Sequence, residues 1–278
     1  MALSPSETNR LLQSINHSPK KKLGQNFLID GNIVHKSLRM AENQEIREVI
    51  EIGPGLGTLS RALLEQGFTV HAVEIDKNLS EFLKHDLHSW IEQKAFRLTE
   101  GDAVKHPLGS LSQDTEEFMI IANLPYAISS AWMEAMLATQ QLPKRMVLML
   151  QKEAVDRLWA KLGTKAFHAL GIFLRSSFSQ TDTHRVPRQC FHPQPIVDSI
   201  LVRMDRLSEP FLFSKEARDL IRRLFTQRRK QIGSLAKKES EEIREKMFQW
   251  LTNENICSSS RPEQIDVSSW QSLALQIR

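Results

Sequence analysis

Apolar positions along the first 206 residues fall into two alternating patterns. Short β-branched and apolar runs read as strands: VIEIG (49–53), TVHAVEI (69–75), AFRLTE (95–100), FMIIAN (118–123), RMVLML (145–150) and SILVRM (199–204). Between them, apolar residues recur at helical spacing in NIVHKSLRMAE (32–42), GTLSRALLEQG (57–67), LSEFLKHDLHSWI (79–91), SSAWMEAMLATQ (129–140), KEAVDRLWA (152–160) and KAFHALGIFLRSSF (165–178). Strand and helix in alternation predict a doubly wound α/β sheet. Past Arg206 the stretch from Leu207 to Ile256 keeps the helical period, gains charge and has no strand-like run. It predicts a separate all-helical domain over 207–278, with the boundary near residues 205–210. The opening stretch MALSPSETNRLLQSINHSPKKK fits neither pattern. It reads as a loose arm over 1–20, ahead of an α/β domain over 21–206.

Composition narrows the picture only a little. The chain has 278 residues and is 41% hydrophobic, enough for a real core. Its 37 Lys+Arg against 33 Asp+Glu give a net charge of +4, a mild excess compatible with nucleic acid and also common in ordinary proteins. No apolar run approaches the roughly 20 residues needed to span a bilayer. The opening stretch has neither the apolar core of a secretory signal nor the arginines of a transit peptide. The two cysteines, Cys190 and Cys257, lie far apart without a C-x-x-C or histidine pattern. Both read as reduced thiols of a cytoplasmic protein, and no metal is expected.

The first candidate chemistry is EIGPGLGTLSRALLEQG (51–67), which follows a strand and opens a helix. Backbone N–H groups at Gly53, Gly55 and Gly57 can approach a ligand that a Cβ would hold away. The spacing is G-x-G-x-G rather than the dinucleotide G-x-G-x-x-G. Glu74 follows about 20 residues later at the end of the second strand, where a carboxylate accepts from both ribose hydroxyls. Two adenosine-bearing cofactors compete, a nicotinamide dinucleotide and S-adenosylmethionine. The acidic Glu51 before the loop, the glycine spacing and Gly101-Asp102-Ala103 after the third strand favour S-adenosylmethionine. Singly, the glycine loop has a structural strand-to-helix turn as its minority reading, while Glu74 reads as well as a solvated strand end and Asp102 as an ordinary turn former. Together they fall at successive strand ends, where ligands of open α/β sheets gather.

The fourth strand runs into Asn123-Leu124-Pro125-Tyr126, which holds the only tyrosine of the chain. Proline fixes its own φ and pushes Leu124 toward extended geometry, so Asn123 and the carbonyl of Leu124 or Pro125 can converge as acceptors on one point. Two acceptors holding the N–H bonds of an exocyclic base amine would localise its lone pair toward an incoming methyl group. Tyr126 offers a flat face for the base and a π surface for a sulfonium. A polar turn with a packing tyrosine is the bland alternative.

The fragments KKLGQNFLID (21–30), EIGPGLG (51–57), VEID (73–76), GDA (101–103), NLPY (123–126), QKE (151–153) and FHPQPIVDS (191–199) occur in this order in ribosomal RNA adenine N6-dimethyltransferases. The chain closely resembles that family over residues 20–250. The resemblance implies a Rossmann-like class I S-adenosylmethionine-dependent methyltransferase domain followed by a small C-terminal helical domain. It implies cofactor contacts from Gln25, Asn26, Leu28, Gly53, Glu74, Asp102 and Asn123, with Gly55 from the glycine loop beside them. Asn26 and Leu28 would close over the methionine part, Glu74 would hold the ribose and Asp102 the adenine amine of the cofactor. The target adenine would lie between Tyr126 and Phe191, with Asn123 and the Pro125 carbonyl accepting from its N6. Without the resemblance, Phe191 reads equally as a buried aromatic under a loop stiffened by Pro193 and Pro195.

The implied substrate is a pair of adjacent adenines in the hairpin near the 3′ end of 16S rRNA, each dimethylated within an assembling small subunit by a monomeric enzyme. Two other readings stay open, a large-subunit rRNA adenine methyltransferase of the antibiotic-resistance type and a mainly RNA-binding assembly factor. Lys21 and Lys22, then Arg222, Arg223, Arg228, Arg229 and Lys230, are candidate phosphate contacts. Their charge fits a solvated face balanced by KESEEIREK (238–246) as well; the resemblance of LFTQRRKQIGSL (224–235) to the family's second domain favours RNA. Ile196 stands where the family usually has lysine, and Phe167-His168 where it often has tyrosine and glycine.

Overall fold

The computed structural model describes residues 4–43 and 45–277. In chain order the strands are β1 (Phe27–Leu28), β2 (Glu48–Ile52), β3 (Thr69–Glu74), β4 (Phe96–Glu100), β5 (Met119–Asn123), β6 (Arg145–Gln151), β7 (Phe178–Val186), β8 (Phe191–His192) and β9 (Ser199–Arg206). The helices are α1 (Pro5–Ser14), α2 (Gly31–Ala41), α3 (Thr58–Glu65), α4 (Lys77–Asp86), α5 (His88–Glu92), α6 (Ser129–Ala138), α7 (Lys152–Leu158), α8 (Ala169–Arg175), α9 (Lys215–Thr226), α10 (Ile232–Ala236), α11 (Glu241–Asn253) and α12 (Val267–Gln276).

One seven-stranded sheet has the order β4-β3-β2-β5-β6-β9-β7, and β1 pairs with β8 in a separate two-stranded sheet. The pairs β3/β4, β2/β3, β2/β5 and β5/β6 are parallel, while β6/β9 is antiparallel. The central strands are buried almost throughout, which is why they read as continuous apolar runs. From β2 the chain winds outward to β4 and then returns to β5 on the other side of β2. The carboxyl ends of β2 and β5 therefore flank the point where strand order reverses, the place where such sheets leave a crevice.

The expected strands are present to within two residues at each end. Three other expectations change. The arm expected to be loose contains α1, capped by Ser4, whose hydroxyl accepts from Glu7 N while Ser4 N donates to the Glu7 carboxylate at 2.8 Å. Leu12 on α1 is 3% exposed and packs with Phe27, Leu56 and Leu79, which gives the helix an apolar partner. The helix expected over 79–91 divides at Leu87, whose side chain is fully buried. The helix expected over 165–178 shrinks to α8, because β7 begins at Phe178.

The chain divides into two compact units. The first runs to Lys152 and resumes over Gln180–Arg206; the second comprises Glu153–Ser179 and everything from Leu207 onward. Residues 153–179, which the sequence placed in the α/β domain, thus belong with the C-terminal helices: α8 packs on α9 and α12. The second unit has an aromatic core. Trp250 and Trp270 lie 5.3 Å apart between ring centroids, and Phe225 lies 5.6 Å from Trp270. Among the described residues, no helix is long and apolar enough to cross a membrane.

Candidate active site

A cleft enclosing about 1030 Å³, its open mouth included, lies at the carboxyl ends of β2, β3 and β5 in the first unit. Gln25, Asn26, Leu28, Gly53, Gly55, Glu74, Asp102, Asn123, Leu124, Pro125 and Tyr126 all line it, together with Lys22 and Glu51. The cofactor residues and the NLPY residues expected from the sequence are therefore brought to one place.

The glycine turn is fitted between two other parts of the site. Gly53 and Gly55 have φ of +67° and +60°, a left-handed conformation that favours glycine. A Cβ on Gly53 would fall 2.9 Å from Pro125 Cγ, and one on Gly55 would fall 3.0 Å from Phe27 Cδ1. The turn leads straight into α3, which has no side-chain cap at its start. Gly55 N donates to Glu74 Oε2 at 3.2 Å, and Asp76 N donates to Glu74 Oε1 at 2.9 Å. Glu74 is 4% exposed, and burial raises its pKa.

Glu51, beneath the turn, is 2% exposed and accepts from Ser60 Oγ at 2.5 Å. Burial pushes its pKa up to about 8, the Ser60 bond opposes this, and the nearby Glu74 adds to it. Burial thus favours the neutral form of both carboxyls, and a positive charge bound nearby would favour their ionised form. A glycine cradle that a Cβ would fill and a carboxylate at the second strand end complete a set of donors and acceptors that fits S-adenosylmethionine, whose sulfur carries a positive charge.

Asn123 ends β5 and reaches across to the amino-terminal segment, where its Nδ2 donates to the Asn26 carbonyl at 3.0 Å. That bond fixes the orientation of the amide and leaves Oδ1 as its acceptor. Asn26 itself is braced by Nδ2 donating to Gly24 O at 3.0 Å. Pro125 O already accepts from Ile128 N at 3.1 Å in the 3₁₀ turn Tyr126–Ile128, so one lone pair of that carbonyl remains open. Tyr126 is half-buried, and its hydroxyl bonds the Ser199 hydroxyl at the start of β9. Burial raises its pKa, partly offset by that bond. Asp102 is half-buried and accepts from Val104 N at 2.9 Å.

Two expected site residues are placed differently. Phe191 is 1% exposed, pairs with Leu28 in the β1/β8 ladder and does not line the cleft. It packs in the core with Leu28, Cys190 and Leu201, so it presents no open face to a base. Gln25 lines the cleft, but its carboxamide is engaged elsewhere: Nε2 donates to Asp76 Oδ2 at 3.1 Å, and Oε1 accepts from Lys20 N at 2.7 Å and bonds His17 Nε2 at 3.1 Å.

Asp76 and Ser199 were within quoted motifs but had no assigned role. Asp76 is buried at the start of α4, accepting from Asn78 N at 3.1 Å and from Lys20 Nζ at 2.8 Å. Burial raises its pKa, but the bonds from Lys20 and Gln25 outweigh that and leave the carboxyl below its ordinary value. An aspartate just ahead of a helix was legible as a cap; its bonds to the arm were not.

Lys21 and Lys22 are exposed in a 3₁₀ turn beside the cleft. In the second unit, Arg222 pairs with Asp219 at 3.3 Å and lies 5.9 Å over the Phe173 ring, and Arg223 pairs with Glu239 at 2.8 Å. Arg228 donates to the Lys165 carbonyl, whereas Arg229 and Lys230 are exposed in the turn after α9. Lys230 lies beside Lys238 and lowers the pKa of that ammonium, as expected where cations crowd together.

The sequence profile described as "Ribosomal RNA adenine dimethylase" matches residues 16–273. Ribosomal RNA small subunit methyltransferase A of Opitutus terrae is 47% identical over 279 residues, covering 100% of this chain and 99% of its own. The protein of the same name from Clostridium acetobutylicum is 32% identical over 275 residues, covering 97% and 98%. Among solved structures, a dimethyladenosine transferase from Plasmodium falciparum superposes with a TM-score of 0.71 at 25% identity, covering 90% of this chain and 96% of that one. The 23S rRNA methyltransferase ErmE, at 23% identity and TM-score 0.60, covers 91% and 99% and shares the fold.

Proposed function

The chain belongs to the ribosomal RNA adenine dimethylase family, and from that premise we propose that it dimethylates N6 of two adjacent adenines in the 3′-terminal hairpin of 16S rRNA. It is an S-adenosylmethionine-dependent rRNA adenine dimethyltransferase, acting in the cytoplasm as a monomer on the assembling small subunit. Full-length relatives named for the small ribosomal subunit support that choice of RNA.

When bound, S-adenosylmethionine supplies an electrophilic methyl group on a cationic sulfur. Gly53 and Gly55 would let the backbone come close to it, Glu74 would hold the ribose, Asp102 the adenine amine, and Asn26 and Leu28 would cover the methionine end. The target adenine must leave its stack, which costs a few kcal/mol and less in a strained loop. Tyr126 offers a face on which the extruded base stacks, worth on the order of 1–3 kcal/mol. Asn123 Oδ1 and the open lone pair of the Pro125 carbonyl accept the two N6–H bonds. Holding both hydrogens draws the nitrogen toward a tetrahedral shape and concentrates its lone pair toward the incoming methyl. The methylated amine is a cation acidic enough to release its proton to water, so no strong general base is needed. In the second transfer only one N–H remains, and the pocket must accept a methyl where a hydrogen bond has gone.

The observation that carries this reading is the Asn123 amide, fastened through Nδ2 to Asn26 O at 3.0 Å so that its oxygen serves as the acceptor. The test is incubation with labelled S-adenosylmethionine and undermethylated small subunits, followed by mapping of modified nucleotides. Dimethyladenosine at two neighbouring positions of the 16S hairpin is the expected product. Label appearing instead in large-subunit RNA, or stopping at monomethyladenosine with enzyme in excess, would overturn it.

A further inference from the structure

Asp76 stands two residues beyond Glu74, and it is the place where the amino-terminal arm is tied to the cleft. Its Oδ1 caps α4 through Asn78 N at 3.1 Å. A cap needs no more than that one oxygen. The second oxygen receives Gln25 Nε2 at 3.1 Å and the Lys20 ammonium at 2.8 Å. His17 Nδ1 lies 3.8 Å from Oδ1, with both side chains buried. Gln25 Oε1 in turn gathers Lys20 N at 2.7 Å and His17 Nε2 at 3.1 Å, so Lys20 and Gln25 are bound to each other and to Asp76, while His17 is held through Gln25. On its other side, Asp76 N donates to Glu74 Oε1 at 2.9 Å, and Glu74 Oε2 accepts from Gly55 N at 3.2 Å. A continuous run of hydrogen bonds therefore leads from the arm through Asp76 to the Glu74 carboxylate and the glycine turn. An apolar contact parallels it, where Leu12 of α1 meets Leu56 of the glycine turn and Leu79 of α4.

We propose that Asp76 is a positioning residue for the cofactor, fastening residues 17–26 across the mouth of the cleft and steadying Glu74 from behind. This rests on the reading of the cleft as an S-adenosylmethionine site. Asn26 is in the segment that Asp76 anchors, and its carbonyl holds the Asn123 amide at 3.0 Å. Release of the cofactor then requires the Lys20–Asp76–Gln25 bonds to open, which makes the arm part of the binding site.

The test uses the full-length protein with S-adenosylhomocysteine as probe, measuring its dissociation rate by stopped flow and its affinity by calorimetry. Asp76→Asn keeps an oxygen for the cap but turns an N–H donor or a neutral oxygen toward Lys20 and Gln25. It is expected to speed release on the order of ten- to hundredfold, the range for losing hydrogen bonds to a charged group. The kinetic loss should fall on KM for S-adenosylmethionine rather than on kcat. Lys20→Met, whose side chain is 43% exposed in the wild type, leaves the cap untouched and should speed release by about threefold, the scale of a half-exposed ion pair. The double variant should release no faster than Asp76→Asn alone, since both changes open the same latch. Should Asp76→Asn fail to fold, Lys20→Met decides, and wild-type release from that variant would overturn the proposal. Effects of the two substitutions that simply add would overturn it too. Failure of the wild-type protein to bind the probe at all would instead overturn the cofactor reading, and this inference with it.

Discussion

In the proposed reaction Asn123 works through both ends of its amide, which makes it the residue with the sharpest expected phenotype. Asn123→Ala removes the acceptor proposed for the target amine and also the bond to Asn26 O. Methyl transfer at saturating substrates should fall on the order of 10²–10³-fold, the scale for deleting one aimed hydrogen-bonding group from an active site. The variant should still bind immature small subunits, as a pull-down with purified subunits would show. Glu51 gives a pH signature. Its carboxyl is held near 8 in the fold against 4.5 as its ordinary value, so the unfolded chain loses this proton first as pH rises. Its stabilising contribution is complete below about 4.5 and is withdrawn progressively up to about 8. In the cofactor-free protein, Glu51→Gln should therefore gain on the wild type by a few kcal/mol between those limits, read from urea unfolding at each pH. The places of the glycine turn, Glu74 and Asn123 were legible because they lie at the ends of strands whose bounds are predictable. Phe191 was not, since its place depends on the long-range pairing of Leu28 with Phe191, which no local pattern encodes.

At the level of elements, what could be read depended on burial. Strands β2, β5 and β6 are covered on both faces and leave unbroken apolar runs in the sequence. β7 has the sequence FSQTDTHRV, exposed from Thr181 to Arg185 at the sheet edge, and its polar residues hide it from any apolar count. α1 was missed for a related reason. Its Ser4–Glu7 capping box is a sequence signature, but only Thr8 and Leu12 are buried along its length, too few to set a period. Leu12→Ala should cost about 2 kcal/mol or more at that site. The loss should appear as faster hydrogen exchange in residues 5–26 while β2, β5 and β6 keep their protection.

For the whole molecule, the modest net charge of +4 matters less than where the cations stand. Arg222 and Arg223 are held by Asp219 and Glu239, whereas Arg229 and Lys230 project from the turn after α9. Replacing those two by glutamine should weaken RNA binding across sequences and reduce the slope of log affinity against log salt by about 1.4–1.8, the value for two lost phosphate contacts. Affinity for S-adenosylmethionine should not change, which filter binding and calorimetry together would establish.

The second unit is also discontinuous, with Glu153–Ser179 drawn from the middle of the chain and the rest from beyond Leu207. On an emerging nascent chain, α7 and α8 are made long before α9 and α12, the helices that cover α8. Until they arrive, Leu170, Ile172, Phe173 and Leu174, all at most 3% exposed in the finished fold, lack the cover that α9 and α12 supply. Ribosomes stalled with the product ending at Arg206 should thus carry a chain that recruits hydrophobic chaperones, and release of that fragment should give aggregates instead of a working α/β enzyme.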